Sequence, residues 1–287
     1  MSIDEPIDPL DELPAQVDPS DRLPRDAIAD VRIRVPTRGN RKLEGLLRAV
    51  NADEQVKAWW HVSAVNATRR LGMSDHSWIH IQIVLNSALR LARLLFRRGV
   101  VPNVVADYGM SERDAEVVIA AAAMLHDTGM TVHRADHEEY SLFLTAQKLP
   151  ALLADVYDEP ERTIVVAETM HAIIGHRRRG DPFTIEAGIV RVADALDMAR
   201  GRSRVPFEGG RQNIHSLSAY AIEEVKIVAG RDRAVLVEIA MSNSAGIFQV
   251  DELLATKLRG SGLEEHVEVI ARIDAEHERR LVPVFRI

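Results

Sequence analysis

The sequence predicts a mainly α-helical protein that ends in a small α+β domain. Three observations carry that expectation. Apolar residues recur at three- to four-residue spacing through segments 41–50, 52–70, 75–98, 112–126, 137–148, 160–174 and 184–199, the mark of helices with a buried face. After about residue 215 the period shortens to the alternation of a half-buried strand. Finally, 46% of the 287 residues are hydrophobic but only 5% are aromatic, so a large core of Ala, Val, Leu and Ile is expected.

Along the chain, residues 1–30 hold nine acids and two bases, and their balance of −7 equals the net charge of the whole protein. Rich in Asp and Pro and without periodicity, they read as an acidic, disordered tail. The remainder is neutral, so no broad basic field signals nucleic acid. Residues 31–215 read as one helical domain and 216–287 as the α+β domain. "VRIRVP" (31–36) alternates and predicts a short strand. Ser111 with Asp114 has the form of a capping box, Gly129 lies where that helix should stop, and Gly99 closes the long helix that starts near Asp75. "AIEEVKIV" (221–228) and "AVLVEIAM" (234–241) read as strands joined by "AGRDR". "IFQVDELLATKLRG" (247–260) reads as a helix and "HVEVIARI" (266–273) as a further strand, a β-β-α-β order. Exposed strand edges there make a homodimer plausible. No run of 18 apolar residues and no basic start before an apolar stretch occur, so neither a membrane span nor a signal peptide is expected. Without cysteine the metal chemistry is left to His and carboxylates, and a cytoplasmic location is expected.

The chemistry concentrates in a few ionisable residues on apolar helices. "DAEVVIAAAA" (114–123) runs almost without polar interruption into "MLHDTGM" (124–130). Burying the adjacent His126 and Asp127 without partners would be costly. Successive helical residues diverge by about 100°, so one metal can lie between these two only at a helix end or kink. His80 shares a helix face with Val84, Ala88 and Ala92, and His76, one turn earlier, could bind metal with it, line the site mouth or simply sit in the first turn. Asp194 sits inside "GIVRVADALDMA" and needs a cation or donors there. Asp197 shares its face and could support a ligand or face a substrate.

His80, then His126-Asp127 in "AAMLHDTGM", then Asp194 in "VADAL", resembles the HD superfamily of metal-dependent phosphohydrolases over roughly residues 60–205. The resemblance implies an HD-type helical bundle. In it His80, His126, Asp127 and Asp194 would hold one divalent metal ion, with Asp127 also catalytic. Some branches bind a second ion through two further histidines. "DHEEYSLFLTAQKL" points to His137 for the first, and "HAIIGHRRRG" to His176, ahead of His171, for the second. The ligand types do not choose among Mn, Fe, Co, Ni, Zn and Mg. The implied activity is cleavage of a phosphoester or phosphoanhydride of a nucleotide or other small phosphorylated molecule by metal-activated water. Many relatives carry Lys where this chain has Met130, and His133 and Arg134 are candidates for the missing positive charge. Arg177 and Arg178 after His176, and Arg200, Arg202 and Arg204 after the Asp194 helix, are candidate phosphate clamps, since guanidinium groups bind phosphate oxygens in pairs. No "GYP" sequence occurs, which argues against the cyclic-dinucleotide branch. A di-iron oxygenase of the same fold and a metal-binding regulatory module are the alternatives.

Overall fold

In a computed structural model, which describes residues 24–177, 180–199, 218–273 and 284–286, the fold is organised around one helix. α6 (Glu112–Leu125) is buried at every residue from Asp114 onward, as expected for a helix that is apolar all round. Its run of alanines lets neighbours approach closely. α2 (Arg41–Ala52), α4 (Trp78–Arg97), α8 (Glu161–Gly175) and α9 (Ile185–Leu196) all pack against it. α3 (Glu54–Ala64) starts at Asp53, whose side chain accepts from the Val56 N–H, and runs on as a π-helical turn, Val65–Arg70. α7 (His137–Leu152) lies across α8. α4 is long and apolar enough by length and composition to cross a membrane, but 67% of its most apolar 18-residue window is buried inside the protein.

Three segments depart from the sequence expectation. Residues 24–29, placed in the disordered tail, form a short helix, α1 (Pro24–Ala29), that contacts α3. Residues 31–36 form no strand. The alternation is real, since Val31 and Ile33 are buried while Arg32 and Arg34 are exposed. The hydrogen bonds, however, go to side-chain amides. Asn51 pairs with both the N–H and the C=O of Ile33 at 2.8 Å, and Gln82 does the same for Arg34 at 2.9 and 2.7 Å. A side-chain amide carries the same donor and acceptor as a peptide, so it can stand in for a neighbouring strand. A further short helix, α5 (Asn103–Tyr108), escapes the periodicity because it is brief. The buried Glu186 carboxylate caps it, accepting from the Asn103 and Val104 N–H groups at 3.1 and 3.0 Å.

The C-terminal part is the α+β unit that the alternation predicts, with one more strand. β1 (Ile222–Ala229) and β2 (Val235–Met241) form an antiparallel hairpin. The chain then crosses over through a 3₁₀ turn (Ser244–Gly246), a π-helical run (Gln249–Ala255) and a last turn, α10 (Thr256–Leu258). β3 (Val267–Ile273) pairs with β2 in parallel, and the short β4 (Val284–Arg286) adds on antiparallel, giving the order β1-β2-β3-β4. Ile222, Val235, Val237, Val267 and Val269 join one apolar core with the bundle. The crossover lies on α9, and Gly188 permits that contact. A Cβ at 188 would sit 2.0 Å from the Ser261 carbonyl oxygen. Buried Arg191, also on α9, donates to the carbonyls of Lys257 (2.8 Å) and Gly175 (3.3 Å), joining crossover and bundle.

The start of α6 is fastened through Asp114. Its carboxylate completes the capping box with Ser111 and also receives Lys42 Nζ at 2.6 Å and the Tyr157 hydroxyl at 2.8 Å. Burial opposes its ionisation, but the bonds from Lys42, Ser111 and Tyr157 outweigh that and hold it below the usual carboxylate range. A depressed carboxyl stabilises the fold fully above its unfolded pKa, near 4, and loses that contribution as pH falls through the folded value. Asp114→Ala is therefore expected to cost about 2 kcal/mol at pH 7. The difference from the parent should shrink in acid, as urea denaturation at several pH values will show.

Candidate metal centre

The end of α6 determines where the ionisable residues point. The last carbonyls of a helix have no partner within it. Here each is taken by a specific group. The His126 ring Nδ1 donates to Ala123 O (2.9 Å), the Trp60 indole to Met124 O (2.9 Å), the Thr128 hydroxyl to Leu125 O (2.8 Å) and the Ser141 hydroxyl to His126 O (2.6 Å). Asn66, in the π turn after α3, donates to Met130 O at 2.7 Å. The helix therefore stops at Leu125, ahead of Gly129, and a 3₁₀ turn (Thr128–Thr131) follows. Because His126 and Asp127 sit at this break, their side chains converge, with Nε2 and Oδ2 3.4 Å apart.

Around Asp127 two sets of nitrogens gather, one on each carboxylate oxygen. Oδ2 faces His80 Nε2 at 3.2 Å and His126 Nε2 at 3.4 Å. Oδ1 faces His137 Nε2 at 3.1 Å and His176 Nε2 at 3.9 Å. Asp194 closes the first set, its Oδ1 lying 3.5 and 3.7 Å from the His80 and His126 Nε2 atoms. His80, His126 and Asp194 could hold a metal ion as a group, as could His126, Asp127 and His176. His137, Glu138 and His176 form a third such group.

The donor set fits a cation. The Nδ1 atoms of His126 and His176 each face a backbone carbonyl, Ala123 O and Ile173 O, and Nδ1 of His80 lies 2.6 Å from Asp197 Oδ2. His137 Nδ1 has two acceptors, Arg134 O at 3.1 Å and Glu138 Oε2 at 3.0 Å, against one donor, Arg134 Nη1 at 3.0 Å. A proton on Nδ1 leaves the Nε2 lone pair aimed inward in all four rings. The His80 and His126 Nε2 atoms are only 3.2 Å apart, and with protons on both Nδ1 atoms the two facing lone pairs call for a cation between them or a proton upon one.

Electrostatics say the same. Burial disfavours charge on Asp127, but His126, His137 and His80 outweigh it and hold the carboxyl well below its usual range. Asp194 is likewise held well below that range, burial being overcome by Lys257, His126 and His80. Burial alone would lower His126 and His137. The surrounding carboxylates bring His126 up to about 10 and His137 up to about 9. Burial, with repulsion from His126 and Lys257, takes His176 down to about 3. Without a metal the cluster keeps its carboxylates ionised by holding protons.

The other candidates fall in different places. His171 is outside the cluster; its ring stacks on Phe183 with centroids 3.7 Å apart. Met130 is fully buried. His133 is exposed and accepts from the Ala135 N–H at 3.0 Å, while Arg134 lies beside His137. Arg177 is held by Glu139 at 2.5 Å. Arg178, Arg200, Arg202 and Arg204 lie outside the described residues. His76, which the His-x-x-x-His spacing offered as a ligand or a residue at the site mouth, has its Nε2 3.9 Å from Asp127 Oδ2. Two residues at the cluster carried too little sequence signal to be counted in it. Glu138 looks like any first-turn acid. Lys257, paired with Asp194, comes from the crossover of the sheet.

Gly129 brings the second set of nitrogens close. A Cβ there would lie 1.9 Å from His137 O and 2.5 Å from Ser141 N. Gly129→Ala is expected to force α7 away and destabilise the protein by about 1–3 kcal/mol. It should also lower the bound metal per chain, read by elemental analysis beside a denaturation curve. Metal binding must expel the protons on His126 and His137, so raising pH removes a competitor. Mn²⁺ affinity is therefore expected to rise from about pH 6 to pH 9 with release of roughly one to two protons, measurable by calorimetry in buffers of different ionisation enthalpy.

Comparison with known proteins agrees with this geometry. The family model described as HD domain matches residues 77–199. The chain is 37% identical over 224 residues to Uncharacterized protein MJ1020 of Methanocaldococcus jannaschii, covering 78% of this chain and 86% of that protein. It is 29% identical over 211 residues to Ribonuclease Y of Thermoanaerobacter pseudethanolicus, covering 68% of this chain but only 38% of that protein. No solved structure matches. With the His-Asp doublet and its distant His and Asp partners gathered at the break after α6, the chain belongs to the HD-domain family, whose members are mostly metal-dependent hydrolases.

Proposed function

We propose that this protein is a cytoplasmic metal-dependent phosphohydrolase acting on a phosphoester or phosphoanhydride of a nucleotide or other small phosphorylated molecule. One observation carries the reading. Asp127 offers one carboxylate oxygen to the His80 and His126 nitrogens and the other to those of His137 and His176. A carboxylate with nitrogens gathered on both oxygens could serve two cations. His80, His126, Asp127 and Asp194 would hold the first ion, and Asp127, His137 and His176 the second. Divalent ions bound there supply positive charge for phosphoryl oxygens and lower the pKa of water from about 16 to about 7.

The protein's own groups supply position and a dry, charged setting. Asp197 orients the His80 ring through its 2.6 Å contact, and the Ala123 and Ile173 carbonyls orient His126 and His176. The His80, His126, His137 and His176 rings are all buried, and low solvent contact strengthens each electrostatic interaction among them. Arg177, just beyond the end of α8, has 39% of its side chain exposed and is paired with Glu139, and it is the described arginine we assign to contact an anionic substrate. A second reading, cleavage of an RNA phosphodiester, is favoured by the likeness to Ribonuclease Y.

Protein loaded in turn with Mn²⁺, Co²⁺, Ni²⁺, Zn²⁺, Mg²⁺ or, anaerobically, Fe²⁺ should hydrolyse at least one member of a panel of nucleotides, phosphomonoesters, phosphodiesters and short single-stranded RNA. Asp127→Ala is expected to lower that rate by about 1000-fold or more. Hydrolysis of the RNA alone would select the second reading. No hydrolysis with any of these metals, together with oxygen consumption by the iron form, would replace the hydrolase with an oxygenase.

A further inference from the structure

Lys257 reaches the cluster from the sheet's crossover. It lies in α10, and its ammonium is bonded to Asp194 Oδ2. The same carboxylate turns its other oxygen, Oδ1, to the His80 and His126 nitrogens. The carboxylate of Asp194 thus joins the candidate metal ligands to a lysine 63 residues further along the chain than Asp194 itself.

The placement is built from several directions. Arg191 donates to the Lys257 carbonyl at 2.8 Å and to that of Thr256 at 3.4 Å, fixing the backbone. Gly188 admits the chain after α10 to within 2.0 Å of where a Cβ would be. Leu254 and Leu258 are buried on either side. Arg191, Gly188 and Asp194 all stand on α9, so the helix that presents Asp194 also holds Lys257 against it.

A lysine with only 16% of its side chain exposed is costly where an apolar residue could pack. An ammonium has three donors, and Asp194 occupies one. Among the described residues no other acceptor bonds this ammonium, which leaves two donors beside the Asp194 carboxylate. A compact point charge beside a cluster built for cations suits a group whose several oxygens share negative charge. A phosphoryl group is such a ligand.

We propose that Lys257 is a phosphoryl-binding residue of the active site, delivered to the metal cluster by the C-terminal α+β unit. The proposal rests on the phosphohydrolase reading for its ligand class. It gives the C-terminal unit a direct part in the chemistry, because moving the sheet's crossover moves a substrate-binding cation.

The test uses the full chain, Mn²⁺ and inorganic phosphate, with titration calorimetry as the readout. Lys257→Met should fold, keep its Mn²⁺ stoichiometry and bind Mn²⁺ as tightly as the parent or several-fold more tightly, since a repelling charge is gone. Its Mn²⁺-loaded form should bind phosphate about tenfold or more weakly, and Lys257→Arg should recover much of that loss. If Lys257→Met is poorly folded, Lys257→Gln provides the same comparison. Phosphate affinity equal to the parent's would overturn the proposal. So would a phosphate loss that only tracks loss of Mn²⁺, which would make Lys257 a support for Asp194. Hydrolysis by the parent with unchanged kcat and KM in Lys257→Met would sink the site and leave the phosphohydrolase reading intact. Lys257-dependent phosphate binding by a parent that hydrolyses nothing would do the reverse.

Discussion

Asp127 places a negative charge at the end of a helix whose residues are buried from Asp114 onward. A carboxylate in such a place must be matched by positive charge or give up its own, because its desolvation costs several kcal/mol. The structure resolves this by surrounding the group rather than by exposing it. His80, His126, His137 and His176 come from α4, the end of α6, the start of α7 and the end of α8. All four rings present Nε2 to Asp127, and those of His80 and His126 also face Asp194. The need to compensate Asp127 and Asp194 therefore dictates the relative placement of most of the bundle.

That convergence depends on how α6 ends. A helix that ran on through residue 127 would turn His126 and Asp127 to different faces. Trp60, Ser141, Thr128 and the His126 ring take the last carbonyls, so the break is satisfied and specific. Gly129 then lets the backbone of α7 approach more closely than a side chain would allow. Ser141 joins the two, donating to His126 O and accepting from the Gly129 N–H at 2.8 Å. The short motif at residues 126–129 is thus a backbone device as much as a set of ligands.

The α+β unit belongs to the same construction. Its strands share the bundle's apolar core, and Arg191 satisfies carbonyls of both α8 and the crossover. A sheet docked in this way is coupled to α9, and through α9 to Asp194. The HD-type helical part accounts for the ligands, and the crossover adds Lys257 to them.

The helices and the change of period near residue 215 were legible in the sequence because periodicity is a local signal, and the His80, His126-Asp127 and Asp194 order was legible through its resemblance to a known family. The sequence also favoured His176 over His171 by resemblance, and the structure places His176 at Asp127 and His171 on Phe183. Other features needed the fold. The strand expected at 31–36 is an extended segment bonded to Asn51 and Gln82, since alternation reports burial and not the partner. Glu138 and Lys257 look like ordinary surface charges in one dimension. Their role depends on which helices meet, and that is decided by contacts between residues far apart in the chain. The sequence by itself determined which groups had to be compensated. Only the tertiary structure decided which distant groups compensate them, because charge balance in a buried site is satisfied through space.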